Sequence, residues 1–298
     1  MKPLISTIIV AYQSEKNVNP CIESIKASAR SAKLPLEVII VVNDPINKSY
    51  RLPKVVKVIR SSKNLGYAAG INAGAKYARG KWILCINPDT LSNKKFFHNL
   101  IPHTKNSHVG IVTPKILNSD GTLQFTITND FTIKNLIIEQ FYLHKALPWL
   151  FSSPQSDPRY YEKPHPVEIS FGTCFLIRRS LFKSLGGFCE DFFLYVEDYD
   201  FCRKVRNTGY QIMFEPHATQ IHFGSQSNMG YKDGHAYLKS VRRYVRLHHS
   251  RIYTGVLMSI LFAGSFIRYM YWTLVRKLRK SELHDKKLEF YRLLLSFR

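Results

Sequence analysis

The sequence predicts an α/β fold with a mostly parallel central sheet, flanking helices, and C-terminal helices that associate with a membrane. Three observations carry this expectation. Continuous apolar, β-branched runs recur at residues 4–11, 36–42, 55–59 and 81–86, the pattern of strands buried on both faces. Helical or glycine-rich segments separate the runs, an alternation that places covering helices on a parallel sheet. From about residue 231 the chain becomes basic and apolar together, which a separate helical region at 231–298, after a first domain at 1–230, would explain.

Each element follows from local chemistry. Residues 4–11 form the first strand. Asn19-Pro20 then opens a helix, with Asn as N-cap, Pro at the first helical position and Ile22, Ile25 and Ala29 along one face. The second strand, 36–42, ends at Asn43-Asp44-Pro45, and the third is expected at 55–59. The turn Asn64-Leu65-Gly66-Tyr67-Ala68-Ala69-Gly70 leads into a helix to Ala78, and 81–86 is the fourth strand. Strands at 109–117 and 123–127 flank a turn at 118–121. Residues 131–150 are expected as helix and 152–166, with four prolines, as loop. A strand at 168–177 precedes the Gly186-Gly187 turn. Helix 197–207 stops at Gly209. Two short strands, 211–214 and 219–223, complete the region 1–230.

The formal charge of +22 arises from 43 Lys plus Arg against 21 Asp plus Glu. Nucleic acid, an anionic membrane surface or a diphosphate-bearing substrate would each explain it. No recognition helix, RNP-like strand or zinc module supports nucleic acid. Cys21, Cys85, Cys174, Cys189 and Cys202 form no CxxC pair, so they read as core thiols in a reducing compartment. Met1-Lys2-Pro3-Leu4 runs straight into a strand pattern, so this part of the chain is expected in the cytoplasm. The apolar stretch 252–275 holds one charge, Arg268. Arg242, Arg243, Arg246 and Arg251 precede it, and Arg276, Lys277, Arg279 and Lys280 follow. It is long enough to cross a bilayer, yet basic residues on both sides fit a helix lying at the interface equally well.

Against so few acids, two acidic features stand out. Asp89 ends the fourth strand on a proline-braced turn, Asn87-Pro88-Asp89-Thr90. Glu190-Asp191 and Glu197-Asp198 with Asp200 form a later cluster. A carboxylate at the carboxyl edge of a parallel sheet is where an open α/β fold binds its ligand, and the pair suggests a metal-held phosphate donor beside a proton acceptor.

Six segments in order resemble the inverting glycosyltransferases of family 2, whose fold is the Rossmann-like GT-A fold. They are Ser6-Thr7-Ile8-Ile9-Val10-Ala11-Tyr12, Val41-Val42-Asn43-Asp44, Asn64 to Asn72, Asn87-Pro88-Asp89-Thr90, Gly186 to Phe201, and Pro216 with His222. The resemblance covers roughly residues 4–225 and is nearest to rhamnosyltransferase-like members that build bacterial surface polysaccharides, including lipopolysaccharide. It implies Mg²⁺ or Mn²⁺ held by Asp89 and His222. The first acid of the family's DxD pattern is replaced here by Asn87. It implies Asp198 as general base, with Glu197 and Asp191 positioning the acceptor. Donor contacts fall on Tyr12, Asn43, Asp44, Asn64, Gly70, Asn72 and Asn87; the family's Asp-Asn order is reversed at 43–44. A dTDP- or UDP-sugar donor is implied, with L-rhamnose among the sugars it would carry. The implied acceptor is a glycan or polyprenyl-diphosphate-linked glycan at the cytoplasmic face of the inner membrane. Other readings are a basic nucleic-acid-binding α/β protein and a catalytically inactive relative that binds nucleotide sugars.

Overall fold

In the computed structural model, residues 3–44, 50–224, 234–278 and 280–296 are described. The boundary expected at 230/231 and the flanking Arg279 lie outside them, as does Pro45.

The chain begins with β1 (Ile5–Ala11), α1 (Val18–Ser31), β2 (Leu36–Val42), β3 (Lys57–Arg60), α2 (Gly66–Ala75) and β4 (Trp82–Ile86). β1 pairs in parallel with β2 on one side, Ile5 opposite Leu36, and with β4 on the other, Ile5 opposite Trp82. All seven residues of β1, Ser6 and Thr7 among them, and all five of the apolar β4 are buried. α1 starts two residues earlier than Asn19 as N-cap would dictate, with Asn17 in the cap position. Asn19 instead donates its side-chain amide to the Arg51 carbonyl at 2.8 Å, and Pro20 falls in the first turn, where a missing N–H costs nothing. β3 is a short, largely exposed edge strand, and Val55, 78% exposed, lies outside it.

Next come β5 (Thr90–Ser92), α3 (Phe96–Leu100), β6 (Val109–Leu117), β7 (Leu123–Gln124) and β8 (Ile127–Thr128). The segment expected as one helix at 131–150 is two, α4 (Ile133–Gln140) and α5 (Leu143–Ala146), because Tyr142 between them is left-handed at φ 55°. The proline-rich stretch contains β9 (His165–Val167). β10 (Ile169–Ser170), β11 (Cys174–Arg178), α6 (Arg179–Ser184), α7 (Glu197–Asn207) and β12 (Gln211–His222) follow. The two short strands expected after Gly209 are one, β12. Its register against β6 shifts between Glu215 and Thr219, where Pro216 has no N–H to give the ladder. The final helices are α8 (Gly234–His248), α9 (Arg251–Leu278) and α10 (Glu282–Leu295).

The main sheet runs β3-β2-β1-β4-β11-β6-β12-β5. Its first four strands are parallel; β11 then reverses direction against β4, with Cys174 opposite Ile86. That reversal brings the start of β11 beside the end of β4. The fold is the GT-A fold, a mixed α/β architecture. All five cysteines are free thiols, four of them buried.

By contacts the chain divides into two compact units. The first comprises Met1–Thr128, Pro154–Phe193 and Glu197–Ser227; the second comprises Asn129–Ser153, Leu194–Val196 and Asn228–Arg298. The first holds the sheet and its core, which includes Ile9, Ile40, Trp82, Leu84 and Phe97. In the second, α9 packs on α4 where Gly264 lies under Gln140; a Cβ there would stand 2.5 Å from the Gln140 Cβ. Arg268, the lone charge of the apolar stretch, is accounted for within this unit. Its Nε donates to the Gln140 carbonyl at 3.1 Å, another guanidinium N–H to the Glu139 carbonyl, and its plane lies 4.2 Å from the Tyr142 ring centre. A cation on the last carbonyls of α4 complements that helix's negative end. Trp272 of α9 receives Lys287 of α10 over its ring at 3.8 Å.

Candidate active site

The site is built where β4 ends. Asn87 donates its backbone N–H to the Thr173 carbonyl at 3.1 Å, which continues the β4–β11 pairing past the last strand residue. Asn87 in turn accepts the Thr90 hydroxyl at 2.8 Å and the Cys21 thiol at 3.5 Å, so its carbonyl fixes the turn that carries Asp89. Burial pushes the Cys21 thiol up to about 12, leaving an inert neutral donor.

Antiparallel pairing of β5 with β12 sets His222 opposite Thr90. The Phe223 N–H closes on the Asp89 carbonyl at 3.0 Å. His222 Nε2 consequently sits 3.3 Å from Asp89 Oδ1, with both side chains about one-seventh exposed. The other ring nitrogen, Nδ1, lies 2.9 Å from Gln124 Oε1. Gln124 Oε1 can only accept, so Nδ1 carries the proton it receives and Nε2 is the atom that faces the carboxylate. A ring nitrogen and a carboxylate oxygen facing each other at that distance could share a divalent cation. Among the described residues no three His, Cys, Asp or Glu side chains cluster to form a complete metal cage. Asp89 and His222 could therefore hold a metal only together with ligands from outside this set of side chains.

Asp198 lies at the start of α7, with Glu197 and Asp200 in the same first turn. Its Oδ2 accepts the Gly172 N–H at 2.8 Å and its Oδ1 the Tyr199 N–H at 2.9 Å. Gly172 immediately precedes Thr173, which holds Asn87. The Asp89 turn and the Asp198 carboxylate are thus tied to neighbouring residues of one connection, on the same edge of the sheet. Burial raises the Asp198 carboxyl to about 6, and the two backbone N–H groups oppose the rise. Glu197 is pushed up as well, by burial and then by the Asp198 charge, and its Oε2 is buried without a hydrogen-bond partner. Both carboxyls are thus held above the ordinary carboxylate range, Glu197 in part by the charge of its neighbour. Asp200 pairs with Lys204 at 2.6 Å one turn along α7, a structural use. The chain enters α7 through Tyr195 and Val196, both left-handed at φ 68° and 67°. A β-branched residue in that region stores of order 1–3 kcal/mol of strain.

The donor-side residues divide by exposure. Tyr12 is half-buried just beyond β1. Asn43 and Asp44 are each 1% exposed. Asn43 donates to the Gly66 carbonyl at 2.9 Å, which leaves its buried Oδ1 without a partner. Asp44 accepts the Gln13 N–H and the Tyr50 hydroxyl and so shapes the turn after Tyr12. Asn64 Oδ1 accepts the Gly66 N–H at 2.9 Å. Gly70 is a packing glycine: a Cβ there would stand 2.9 Å from Val10. Asn72 is spent on the Gly187-Phe188 turn, donating to the Phe188 carbonyl and to Glu190 and accepting the Phe188 N–H. Asp191 is exposed beside that turn.

Three participants escaped the sequence reading. Gln124 orients His222, Gly172 holds Asp198, and the Tyr67 hydroxyl donates to the Gly172 carbonyl at 2.7 Å. Tyr67 lies in a quoted motif, but nothing local ties it to a residue a hundred positions away.

Comparison with known proteins gives this arrangement its context. The family model described as "Glycosyl transferase family 2" matches residues 6–186. The hexosyltransferase Agl10 of low-salt glycan biosynthesis in Haloferax volcanii is 25% identical over 296 residues, covering 96% of this chain and 87% of that one. An N-acetylglucosaminyl-diphospho-decaprenol L-rhamnosyltransferase of Mycobacterium tuberculosis is 24% identical, over 58% of this chain and 60% of its own. Among solved structures, GalNAc-T7 with UDP, GalNAc and Mn²⁺ aligns with TM-score 0.61 at 15% identity, over 99% of this chain and 56% of that one. The mannosyltransferase PcManGT of Pyrobaculum calidifontis with GDP-Man and Mn²⁺ aligns with TM-score 0.60 at 12% identity, over 99% and 86%. At such identities the structural likenesses speak to fold alone. With the family model covering more than half of its length, this chain belongs to glycosyl transferase family 2.

Proposed function

We propose that the protein is an inverting hexosyl- or rhamnosyltransferase that moves a sugar from a nucleotide-diphosphate donor, dTDP- or UDP-linked, to a lipid-linked glycan at a membrane surface. The observation that carries the chemistry is the shared edge: Asp198 and the Asp89–His222 pair are fastened to adjacent residues, Gly172 and Thr173. Asp89 and His222 are the residues that would hold a divalent cation, Mg²⁺ or Mn²⁺. When bound, such an ion neutralises charge on the departing diphosphate. Asp198 receives the acceptor hydroxyl's proton as the acceptor oxygen bonds to the anomeric carbon. The bond from that carbon to the diphosphate oxygen breaks, and its electron pair leaves with the nucleoside diphosphate. A carboxyl near 6 is ionised at neutral pH yet still a competent proton acceptor. Glu197, beside it, is assigned to acceptor or loop positioning, and exposed Asp191 to acceptor positioning. Tyr12 stacks on or borders the nucleotide. Asn43, Asp44, Asn64 and Gly70 shape the wall beneath it, Asn72 braces the turn at Gly187, and Asn87 anchors the Asp89 turn.

Membrane association rests on α9. Among the described residues it alone is long and apolar enough to cross a bilayer, and only 28% of its apolar window is buried in the protein. The relative named for a diphospho-decaprenol acceptor supports a lipid-linked acceptor here, and the basic flanks of α9 favour the anionic cytoplasmic leaflet of the inner membrane.

The test is a nucleotide-sugar panel, with Mg²⁺ or Mn²⁺, read by thermal stabilisation and by nucleoside diphosphate release. One donor should raise the melting temperature by mass action, and both Asp89→Ala and Asp198→Asn should abolish its turnover in folded protein. Undiminished release from both variants would refute the assignment. Removing residues 250–298 should free the protein from membranes; unchanged partition would refute the anchoring role.

A further inference from the structure

The second unit holds a groove that neither the transfer chemistry nor the length of α9 explains. It encloses about 910 Å³ between α8, α9 and the end of α10. Arg242, Arg246 and Arg251 line one part; Met258, Leu261 and Phe262 line another. None of these three arginines has an ion-pair partner among the described residues. No Asp or Glu occurs between residues 234 and 278, so α8 and α9 bring no counter-ion to the groove. Three guanidiniums around one concavity repel one another until an anion joins them, and their fork-shaped donors match phosphate oxygens.

The apolar part narrows the choice of anion. Free phosphate would satisfy the arginines and leave Phe262, 52% exposed, in water. A bare hydrocarbon would cover the apolar part and leave the charges unmatched. The exposed residues of α9, among them Ile252, Phe266 and Met270, continue the same apolar surface along the helix. We propose that this groove seats an anionic phospholipid, its phosphate on Arg242, Arg246 and Arg251 and its first chain carbons along Met258, Leu261 and Phe262. The proposal rests on the membrane association inferred above and adds a defined lipid site to it.

The experiment uses the full chain with vesicles of phosphatidylcholine, alone or mixed with phosphatidylglycerol, and reads bound protein by co-sedimentation. Wild-type protein should bind the mixed vesicles and only weakly the neutral ones. Removing all three arginines (Arg242→Ala, Arg246→Ala, Arg251→Ala) should lower the partition coefficient about a hundredfold, at about fivefold per charge. Removing three charges outside the groove (Lys239→Ala, Lys277→Ala, Lys280→Ala) should cost at least tenfold less.

A charge-neutral variant guards against misfolding and against a diffuse field. Gly255 lines the groove, and a Cβ there meets no atom within 4 Å, so Gly255→Gln fills the space without a clash and favours the helix. It should reduce binding about tenfold at constant charge. Wild-type binding by Gly255→Gln, together with equal losses in the two triple variants, would overturn the groove and leave membrane association standing. Failure of wild-type protein to bind the mixed vesicles would overturn both.

Discussion

Asp198→Asn should separate catalysis from stability in a pH-dependent way. The Asp198 carboxyl is raised from its ordinary 3.8 to about 6, chiefly by burial. A folded-state value above the unfolded one means the native protein holds a proton that the unfolded chain has already released. Stability from this group is therefore full below about 4 and is lost as pH rises through about 6. Two units at 1.36 kcal/mol each make the loss about 3 kcal/mol. Asparagine does not titrate, so the variant escapes this loss. It offers only one oxygen to the two N–H donors of Gly172 and Tyr199, a pH-independent penalty of about 1–3 kcal/mol. The stability difference between variant and wild type should thus move about 3 kcal/mol in the variant's favour between about pH 4 and 8. Urea unfolding across that range measures it. In parallel, wild-type kcat/KM should fall tenfold per pH unit below about 6, and the variant should turn over about 10²–10⁴-fold more slowly. Parallel stability curves, or turnover of the variant within about tenfold of wild type, would refute both the burial argument and the role of Asp198.

Other consequences can be measured directly. Gln124→Leu frees the His222 ring to choose its tautomer, so Mn²⁺ affinity read by EPR should weaken about 10–100-fold, with nitrogen chemical shifts of His222 showing mixed tautomers. Gly66→Ala should destabilise by at least about 2 kcal/mol in urea, because a Cβ at φ +78° would meet the Phe193 carbonyl oxygen at 2.3 Å. Gly255→Ala, on a helix in open space, should instead stabilise the second unit by up to about 1 kcal/mol. Arg268→Met strips the end of α4 of its cation and should cost about 2–3 kcal/mol, read as an earlier transition of the second unit.

Much of the sheet was legible because its signals are local. The largely apolar runs of β1, β2 and β4 need burial on both faces wherever they sit, and all but the half-buried Leu36 and Glu37 at the start of β2 have it. Asp89 at a strand end and Asp198 at a helix start were equally readable, since each belongs to a short ordered motif. The misread elements are those where distant partners or a single backbone angle decide. The strands expected at 211–214 and 219–223 are one, with Pro216 absorbed at a register shift in β12. Tyr142, left-handed, divides what composition described as one helix.

The sequence by itself determined the parallel half of the sheet, the placing of Asp89 at a strand end and of Asp198 at a helix start, and the basic, apolar character of the C-terminal helices, because side-chain periodicity and charge are properties of the chain alone. Tertiary structure alone decided that β11 runs against β4, which ties Asp198 and the Asp89 turn to consecutive residues. It also decided that Gln124 orients His222 and that Arg268 caps α4 rather than meeting lipid. These are hydrogen bonds between residues 26 to 129 positions apart, and no local pattern encodes a partner at such separations.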